Sequence, residues 1–381
     1  MRDVYTRILE ESGCKALACF GNENFSYITG VMLPFAKYYP DRHFSVIRTD
    51  NDVCTVIVPP DWEDAVKDQK SDYKVVTYDE NKGKYPEPFI NSVSNTLIEL
   101  GLNESKIGFD SNNTPKRIIE IIKEKLPKIN FISIDKILIE NRMIKNSSEI
   151  KEIENACEYA DRGITHGLNH LEGTISVTGY SIPEYAERIR VHIFESGGSG
   201  VGQLLVTVGT NSQKLYSPAK GNFKEGQIQR NDVTVHSLCY WCNVGRMSYI
   251  GEPSQEYVKS YEKNQQLKLF TEKLLKPGIK CSEIFDKVSE ESKKSGIHLC
   301  HEIIGHGVGV GQIEPPYIGK FDQTALKTGM VLALDIMTPG PNMELIHDKD
   351  VYVITEGGTR KLSWYRSWDQ LYAVIGFRAV H

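Results

Sequence analysis

The arrangement of apolar residues changes near residue 142, and this change constrains the fold more than any other feature of the sequence. Residues 1 to about 140 alternate short apolar runs with stretches of helical spacing, a pattern typical of an α/β layer. Asn146 followed by Glu149 resembles a capping box, which predicts that a long helix begins there. Beyond residue 183, strands mix with long helices, which favours an α+β fold. We therefore predict an α/β domain over residues 1–140 and an α+β domain over residues 141–381.

Individual elements follow from the same apolar spacing. A chain of 381 residues also exceeds the ~250–300 residues at which a single core tends to divide, so two domains are expected on length alone. The predicted strands are 16–20, 44–47, 53–58, 74–77, 107–109, 131–134, 204–208, 232–241, 247–250, 305–311, 329–335 and 351–355. The predicted helices, besides the one from residue 146, are 86–100, 115–126, 183–196, 254–275 and 281–296.

Composition excludes several classes of protein. The formal net charge of −5 argues against a nucleic-acid-binding surface. No apolar run approaches the ~18 residues of a membrane span, and the first residues, MRDVYTRILEESG, lack an apolar signal core. Eight cysteines are too few for a disulfide scaffold. These features predict a cytoplasmic protein with reduced thiols, without a nucleic-acid or membrane partner.

A glycine-rich segment from His301 to Gly311, continuing to Glu314, is the densest candidate site. Glycines on both sides of His306 allow close approach of the backbone to a bound group and leave the imidazole accessible. The alternative is a glycine-rich hairpin that contains a structural histidine, because polar networks without catalytic function also hold histidines.

A second candidate site lies on a predicted strand. Alternation places Asp232, Thr234 and His236 on one face. An aspartate and a histidine on one face can be a base with its orienting carboxylate, a pair of metal ligands, or a satisfied polar network. The residues alone leave these possibilities open.

Acidic residues near the C-terminus form a third candidate. Asp335 ends an apolar run, and an acid at the end of a buried strand is costly unless it is paired. Asp348 and Asp350 precede a strand, where a solvated turn is the simpler interpretation. Cys239 and Cys242 form a CxxC pair without a second one, which favours core packing over a zinc site.

The segment Gly305-His306-Gly307-Val308-Gly309, with Glu314-Pro315-Pro316, resembles the creatinase, aminopeptidase P and prolidase family of pita-bread-fold hydrolases. Further segments resemble that family in the same order along the chain. They are Tyr27-Ile28-Thr29-Gly30, Arg142-Met143-Ile144-Lys145, Lys276-Pro277-Gly278 and Lys327-Thr328-Gly329-Met330-Val331. The resemblance covers nearly the whole chain and implies a creatinase-type N-terminal α/β domain followed by a pita-bread domain.

The resemblance also implies where metal ligands would fall. Metallopeptidases of this family hold two divalent ions with two aspartates eleven residues apart, a histidine and two glutamates. Alignment places the first three at Asp232, Asn243 and His306. The first glutamate falls at Asp335, and the second at Lys349 by direct counting or at Asp348 with a shift of one residue. Because a protonated lysine repels a cation, a dinuclear centre is not expected. One divalent cation (Mn, Zn or Co) on Asp232, His306 and Asp335 is the alternative.

Metal-free members of the family suggest another chemistry. Creatinase and relatives that resemble ectoine hydrolases cleave C–N bonds with side chains alone. The segment around Arg42 is similar to the creatinase segment whose arginine binds the substrate carboxylate across a dimer, and a guanidinium suits that task. The general-base histidine of creatinase would fall near Leu215 or Tyr216, so the chain departs from creatinase there.

We therefore predict a homodimeric hydrolase that cleaves a C–N bond in a small carboxylated substrate, without a dinuclear metal centre. His306 or His236 would be the general acid or base, with Asp232 and Asp335 as partners, and Arg42, Arg246, Glu314 and Asp348 would bind substrate. One alternative is a metal-dependent Xaa-Pro dipeptidase or aminopeptidase with a degenerate ligand set, acting on dipeptide-sized substrates. Another is a pita-bread scaffold that has lost catalysis and only binds a ligand.

Overall fold

A computed structural model describes residues 4–178 and 180–376. Its internal contacts divide the chain between Arg142 and Met143 into two compact units. None of the helices in the described ranges has the length and hydropathy of a membrane span.

The N-terminal unit is a mixed sheet with helices on both faces. Its strands are β1 (Ala16–Cys19), β2 (Ser45–Thr49), β3 (Cys54–Val58), β4 (Lys74–Thr77), β5 (Lys106–Phe109) and β6 (Asn130–Ser133). Its helices are α1 (Val4–Ser12), α2 (Asn22–Thr29), α3 (Glu63–Lys67), α4 (Glu87–Glu99), α5 (Lys116–Lys125) and α6 (Asp135–Met143), the last of which ends at the boundary. The strand order is β4-β3-β2-β1-β5-β6.

Alternation along β1 explains why this sheet has helices on both sides. Leu17 and Cys19 join one hydrophobic core with α1 and α2, whereas Ala16 and Ala18 join a second core with α4 and α5. The sheet is therefore buried on both faces, which is why its strands are continuous apolar runs in the sequence. Each predicted strand and helix of this unit is present, with ends that differ by one or two residues.

The C-terminal unit is built on a larger, mainly antiparallel sheet with the strand order β11-β10-β12-β13-β9-β8-β7, on which β14 pairs with β13 and β15 with β9. Its strands are β7 (Gly200–Val208), β8 (Ile228–Ser237), β9 (Tyr240–Ile250), β10 (Ile303–Gly307), β11 (Glu314–Gly319), β12 (Val331–Pro339), β13 (Leu345–Thr355), β14 (Gly358–Lys361) and β15 (Tyr372–Val374). Its helices are α7 (Ser147–Thr178), α8 (Ile182–Glu195), α9 (Gln255–Leu274) and α10 (Cys281–Lys294). Helix α7 packs on β8 and β9, and α9 packs on β12 and β13.

The start of α7 confirms the predicted capping box. The Asn146 side chain accepts hydrogen bonds from the backbone N–H groups of Ser148 and Glu149, and the Glu149 carboxylate accepts one from the Asn146 backbone N–H. The predicted α+β class is confirmed by helices packed against a mainly antiparallel sheet.

Several strands of the C-terminal unit differ from their predicted bounds by more than two residues, and two of these differences change the interpretation of the sequence. The predicted strand 232–241 runs through a tight turn at Leu238, where φ is +49°, and its last residues belong to β9. Strand β13 begins at Leu345 and contains His347, Asp348, Lys349 and Asp350. The interpretation of Asp348 and Asp350 as a solvated turn is therefore wrong, because both residues are fully buried in a strand.

Candidate functional site

Four neighbouring strands of the C-terminal sheet place polar positions side by side. Asp232 of β8 lies opposite Gly245 of β9, Gly245 lies opposite Lys349 of β13, and Lys349 lies opposite Asp335 of β12. Directly opposite residues project from the same face of a sheet, so these positions form one row. Gly245 leaves room within the row, because a Cβ atom there would lie 2.9 Å from the Cβ of Lys349.

The ammonium group of Lys349 lies at the centre of this row. Its Nζ is 3.3 Å from Asp232 Oδ1 and 3.5 Å from Asp335 Oδ2, and it donates a hydrogen bond of 3.1 Å to Asn243 Oδ1. Gln203 Nε2 donates to the other oxygen of Asp232 at 3.1 Å. We call Asp232, Asn243, His306, Asp335 and Lys349 the central group.

The charges in the central group stabilise one another. Burial by itself would lower the pKa of Lys349, but the carboxylates of Asp232 and Asp335 outweigh it and raise that pKa. Burial likewise raises the pKa of the Asp335 carboxyl, but the charges of Lys349 and His347 hold it well below its usual range. Lys349 is therefore charged and Asp335 ionised at neutral pH. The Asp335 side chain is 16 % exposed, so water reaches the group there.

His306 joins the central group from the glycine-rich hairpin. It lies opposite Ala333 of β12, two residues before Asp335 on the same face. Its Nδ1 lies 3.0 Å from the Gly307 carbonyl oxygen, and its Nε2 lies 3.4 Å from Asn243 Nδ2. Burial and the charge of Lys349 lower the pKa of His306, which keeps the imidazole neutral at pH 7.

His347 belongs to the third candidate cluster in the sequence, but no role was predicted for it. It shares a face of β13 with Lys349, its Nε2 contacts Asp335 Oδ1, and its buried Nδ1 has no hydrogen-bond partner among residues 4–178 and 180–376. The available signal was alternation, because His347 is two residues from Lys349 in one strand. That signal depended on extending the strand back to Leu345.

His236 shares the face of Asp232 but lies four residues away, which is about 13 Å along a strand. Its Nδ1 is 2.6 Å from the Leu238 carbonyl oxygen, and its ring packs on Trp241 with centroids 4.3 Å apart. The structure does not bring His236 together with the central group.

Arg246 and Asp348 lie on the opposite face of the sheet from Lys349. The Arg246 guanidinium donates to Asp161 of α7 at 2.7 and 3.0 Å and lies 3.1 Å from Asp350. Asp348 contacts Lys268 of α9. Both predicted substrate-binding residues are thus held in a buried ionic network beneath the sheet. Side chains alternate along a strand, so aligning the second glutamate of the family with Asp348 instead of Lys349 places it on the wrong face of the sheet.

Glu314 and Arg42 are also already paired. Glu314 accepts hydrogen bonds from Lys145 Nζ at 2.9 Å and from the Gly311 backbone N–H at 3.2 Å, which holds the glycine-rich hairpin. In the N-terminal unit, Arg42 forms ion pairs of 2.7 Å with both Asp61 and Glu80. A carboxylate ligand of Arg42 would have to displace one of them.

The donor set does not fit a divalent metal. Among the residues that the structure describes, no group of three or more histidine, cysteine, aspartate and glutamate side chains is arranged to hold a metal ion. Within the central group, a lysine ammonium lies between the two carboxylates, and Asn243 supplies only a neutral oxygen. Cys239 and Cys242 are buried free thiols near the β8–β9 turn, and burial raises the pKa of Cys239 to about 12.

Known proteins resemble both units of the chain. Residues 151–356 match the model of metallopeptidase family M24, and residues 4–144 match that of the creatinase/prolidase N-terminal domain. An Xaa-Pro dipeptidase from Pyrococcus furiosus is 26% identical over 70% of this chain and 76% of its own length. A creatinase from a Bacillus species is 22% identical over 72% of this chain and 70% of its own length.

Solved structures show the same fold. The crystal structure of an X-Pro aminopeptidase from Thermotoga maritima superimposes with a TM-score of 0.83 at 19% identity, covering 97% of this chain and 98% of that one. The predicted creatinase-type N-terminal domain and pita-bread C-terminal domain are confirmed, as is the prediction of a hydrolase of the creatinase and prolidase type. The chain belongs to metallopeptidase family M24 and carries the creatinase/prolidase N-terminal domain.

Proposed function

We propose that this chain hydrolyses a C–N bond in a small carboxylated amide or amidine, using side chains in place of a pair of metal ions. The position of Lys349 carries the proposal. Its ammonium lies within 3.5 Å of both Asp232 and Asp335 and compensates their charge. Two dications a few Å apart need bridging carboxylates to offset their repulsion, and a fixed positive charge among the carboxylates works against them.

His306 is the proposed general base. A neutral imidazole whose Nδ1–H donates to the Gly307 carbonyl has its lone pair on Nε2. Nε2 takes a proton from water as the water oxygen attacks the carbon of the C–N bond. The same nitrogen then returns the proton to the departing nitrogen, so the C–N bond breaks and the imidazole is regenerated.

The carboxylates and His347 have supporting roles in this proposal. Asp335, the more exposed carboxylate, orients the attacking water or binds a cationic part of the substrate. His347 is the second candidate for proton transfer, because its Nε2 contacts Asp335 beside Lys349. The two histidines are distinguished by separate substitutions.

The first experiment measures the metal content of the purified, untagged protein by elemental mass spectrometry. We expect less than stoichiometric manganese, zinc, cobalt or iron, and turnover of a guanidino acid, an N-acetyl amino acid or a cyclic amidine carboxylate that persists in EDTA. Lys349→Glu is the positive control, because it replaces the ammonium with a carboxylate and should create metal-dependent thermal stabilisation. Two equivalents of tightly bound metal in the wild-type protein would contradict the proposal.

The roles of the histidines are tested on the substrate found in that screen. His306→Ala should lower kcat by about 10²- to 10⁴-fold, the usual contribution of a general base. His236→Ala is the matched comparison and should retain turnover. If both variants turn over normally and His347→Ala does not, the base is His347 rather than His306.

A metal-dependent Xaa-Pro dipeptidase is the second candidate, and the curated relative of that name favours it. It predicts cleavage of Xaa-Pro dipeptides that is stimulated by manganese, zinc or cobalt and abolished by EDTA. We further propose that the protein is a cytoplasmic homodimer, in which Arg42 approaches the neighbouring subunit. Sedimentation of the wild-type protein tests the dimer.

A further inference from the structure

Arg230 is a fully buried arginine whose hydrogen bonds are incomplete. It lies on β8, opposite Thr207 of β7 and Met247 of β9. Its Nη2 donates to the carbonyl oxygens of Leu215 at 2.8 Å and Lys214 at 3.2 Å. Nε and Nη1 are buried and have no hydrogen-bond partner within the described ranges. The guanidinium therefore has N–H groups to donate and, among the described residues, no carboxylate within ion-pair distance.

Such an arrangement is costly for a residue that only supports the fold. A buried guanidinium loses its hydration, and the loss is offset only by a carboxylate or by complete hydrogen bonding. Arg246, the other fully buried arginine of this sheet, shows that compensation, because it pairs with Asp161 and Asp350. An anion that is not part of the chain would supply the same compensation to Arg230.

Thr207 provides an independent second observation. Its side chain is also fully buried, and its Oγ1 has no hydrogen-bond partner in the described part of the chain. Because Thr207 and Arg230 are directly opposite in the ladder, their side chains emerge next to each other on one face. A hydroxyl and a guanidinium with free donors, side by side, favour a carboxylate.

Arg230 lies at a distance from the central group that a single small substrate molecule can span. Arg230 is two residues before Asp232 on the same face of β8, which is about 7 Å along the strand. A small amino-acid derivative is of that length, so its carboxylate can lie at Arg230 while its C–N bond lies beside Asp232 and His306. In the sequence, the alternation of side chains along the strand already places Arg230 on the same face as Asp232.

We propose that Arg230, with Thr207, binds the carboxylate of the substrate, and that this site rather than Arg42 determines the preference for carboxylated substrates. The inference rests on the proposed function for the identity of the ligand. The carbonyls of Lys214 and Leu215 cover the guanidinium, so residues 214–221, which form no helix or strand, must move for a ligand to enter. Tyr216 in this segment is 69 % exposed.

The test is calorimetric binding of N-acetylglycine and N-acetylproline, each compared with its neutral C-terminal amide. The wild-type protein should bind the acids at least tenfold more tightly than the amides. Arg230→Met should lose that preference, Arg42→Met should keep it, and Thr207→Val should reduce it several-fold. Equal binding of acids and amides by the wild-type protein overturns the proposal, as does loss of the preference in Arg42→Met alone.

Thermal unfolding of the same variants separates a binding role from a structural one. Removing a buried charge without a carboxylate partner should leave the Tm of Arg230→Met equal to or above that of the wild-type protein. A Tm lower by several degrees, or failure to fold, shows that Arg230 supports the fold, and it overturns the proposal unless Thr207→Val selectively weakens acid binding. Binding of the acids through Arg230 without any hydrolysis contradicts the proposed function and leaves this inference standing.

Discussion

At the scale of single residues, Lys349 has the largest effect on what the site can do. The position faces Asp335 and Gly245 across two ladders, and a carboxylate there would make a group of three acids. A lysine reverses the charge, so the chain itself supplies a positive charge between the two remaining carboxylates. Its partners at 3.1 to 3.5 Å are all side-chain oxygens.

Lys349→Met is expected to destabilise the protein by about 3–5 kcal/mol at pH 7, because two buried carboxylates lose the cation that lies between them. In the wild-type protein the pKa of Asp335 is lowered, so its stabilising contribution is present above the unfolded pKa and is lost as the pH falls through the folded pKa. Without Lys349, the largest charge that opposes the effect of burial is gone, so the pKa of Asp335 rises and the carboxyl is protonated at a higher pH than in the wild-type protein. The deficit, meaning the unfolding free energy that Lys349→Met loses relative to the wild-type protein, should therefore be smaller at pH 5 than at pH 7.

Urea unfolding at both pH values measures this deficit. Lys224→Met is the control, because Lys224 is exposed and its removal should change the unfolding free energy by at most about 0.5 kcal/mol. A Lys349→Met protein as stable as the control at pH 7 would show that the carboxylates do not need the ammonium.

At the scale of elements, strand β13 separates two kinds of chemistry by alternation. His347 and Lys349 face Asp335, whereas Asp348 and Asp350 face Lys268 and Arg246. A shift of one residue in register would exchange the two sets, so the fold specifies the register strongly. The predicted start of this strand at residue 351 is six residues too late, because charged residues are rare in buried strands and 347–350 are all titratable.

The β10–β11 hairpin depends on one glycine next to His306. A Cβ atom on Gly307 would lie 2.4 Å from the Pro315 carbonyl oxygen, and backbone cannot give way as a flexible side chain can. Gly307→Ala should therefore cost about 1–3 kcal/mol and lower turnover by displacing His306. Thermal unfolding and kcat measure both effects. Gly357→Ala, where a Cβ meets nothing within 4 Å, is the matched control and should change neither.

At the scale of the whole molecule, a buried ionic network joins the helices to the face of the C-terminal sheet opposite the central group. Asp161 of α7 and Lys268 of α9 meet Arg246, Asp348 and Asp350 of the strands. Burial raises the pKa of Asp350, but Lys268 and Arg246 outweigh it and hold that pKa well below its usual range. The network fixes β13 from behind and so holds Lys349 in position.

Lys268→Met should lower the unfolding free energy by up to about 3–5 kcal/mol at pH 7, because Asp348 loses its nearest cation and Asp350 keeps only Lys361 and Arg246. The contribution of Asp350 is present above its unfolded pKa, so the difference from wild type should shrink as the pH falls below about 4. Chemical unfolding across this range measures it. Lys287→Met, which breaks an exposed pair with Glu283, should cost no more than about 0.5 kcal/mol, and an equal effect of both variants would contradict the argument.

Apolar periodicity and motif order, which are local properties of the chain, were sufficient to predict most of the elements, the fold class and the family. The sequence also placed Asp232, His306 and Asp335 as candidates, and the structure brings these three together around Lys349. The sequence left the position of the second glutamate open between Lys349 and Asp348.

Strand register, which is visible only in the folded protein, distinguishes those two positions. Lys349 pairs with Gly245 and Asp335, so it faces Asp232, and Asp348 faces the helices. Arg230 is a further example, because the incomplete hydrogen bonding of its buried guanidinium within the described ranges is recognised only when its surroundings are known. The physical reason is that a side chain acquires its charge environment from residues distant in sequence, which the pairing of strands brings into contact.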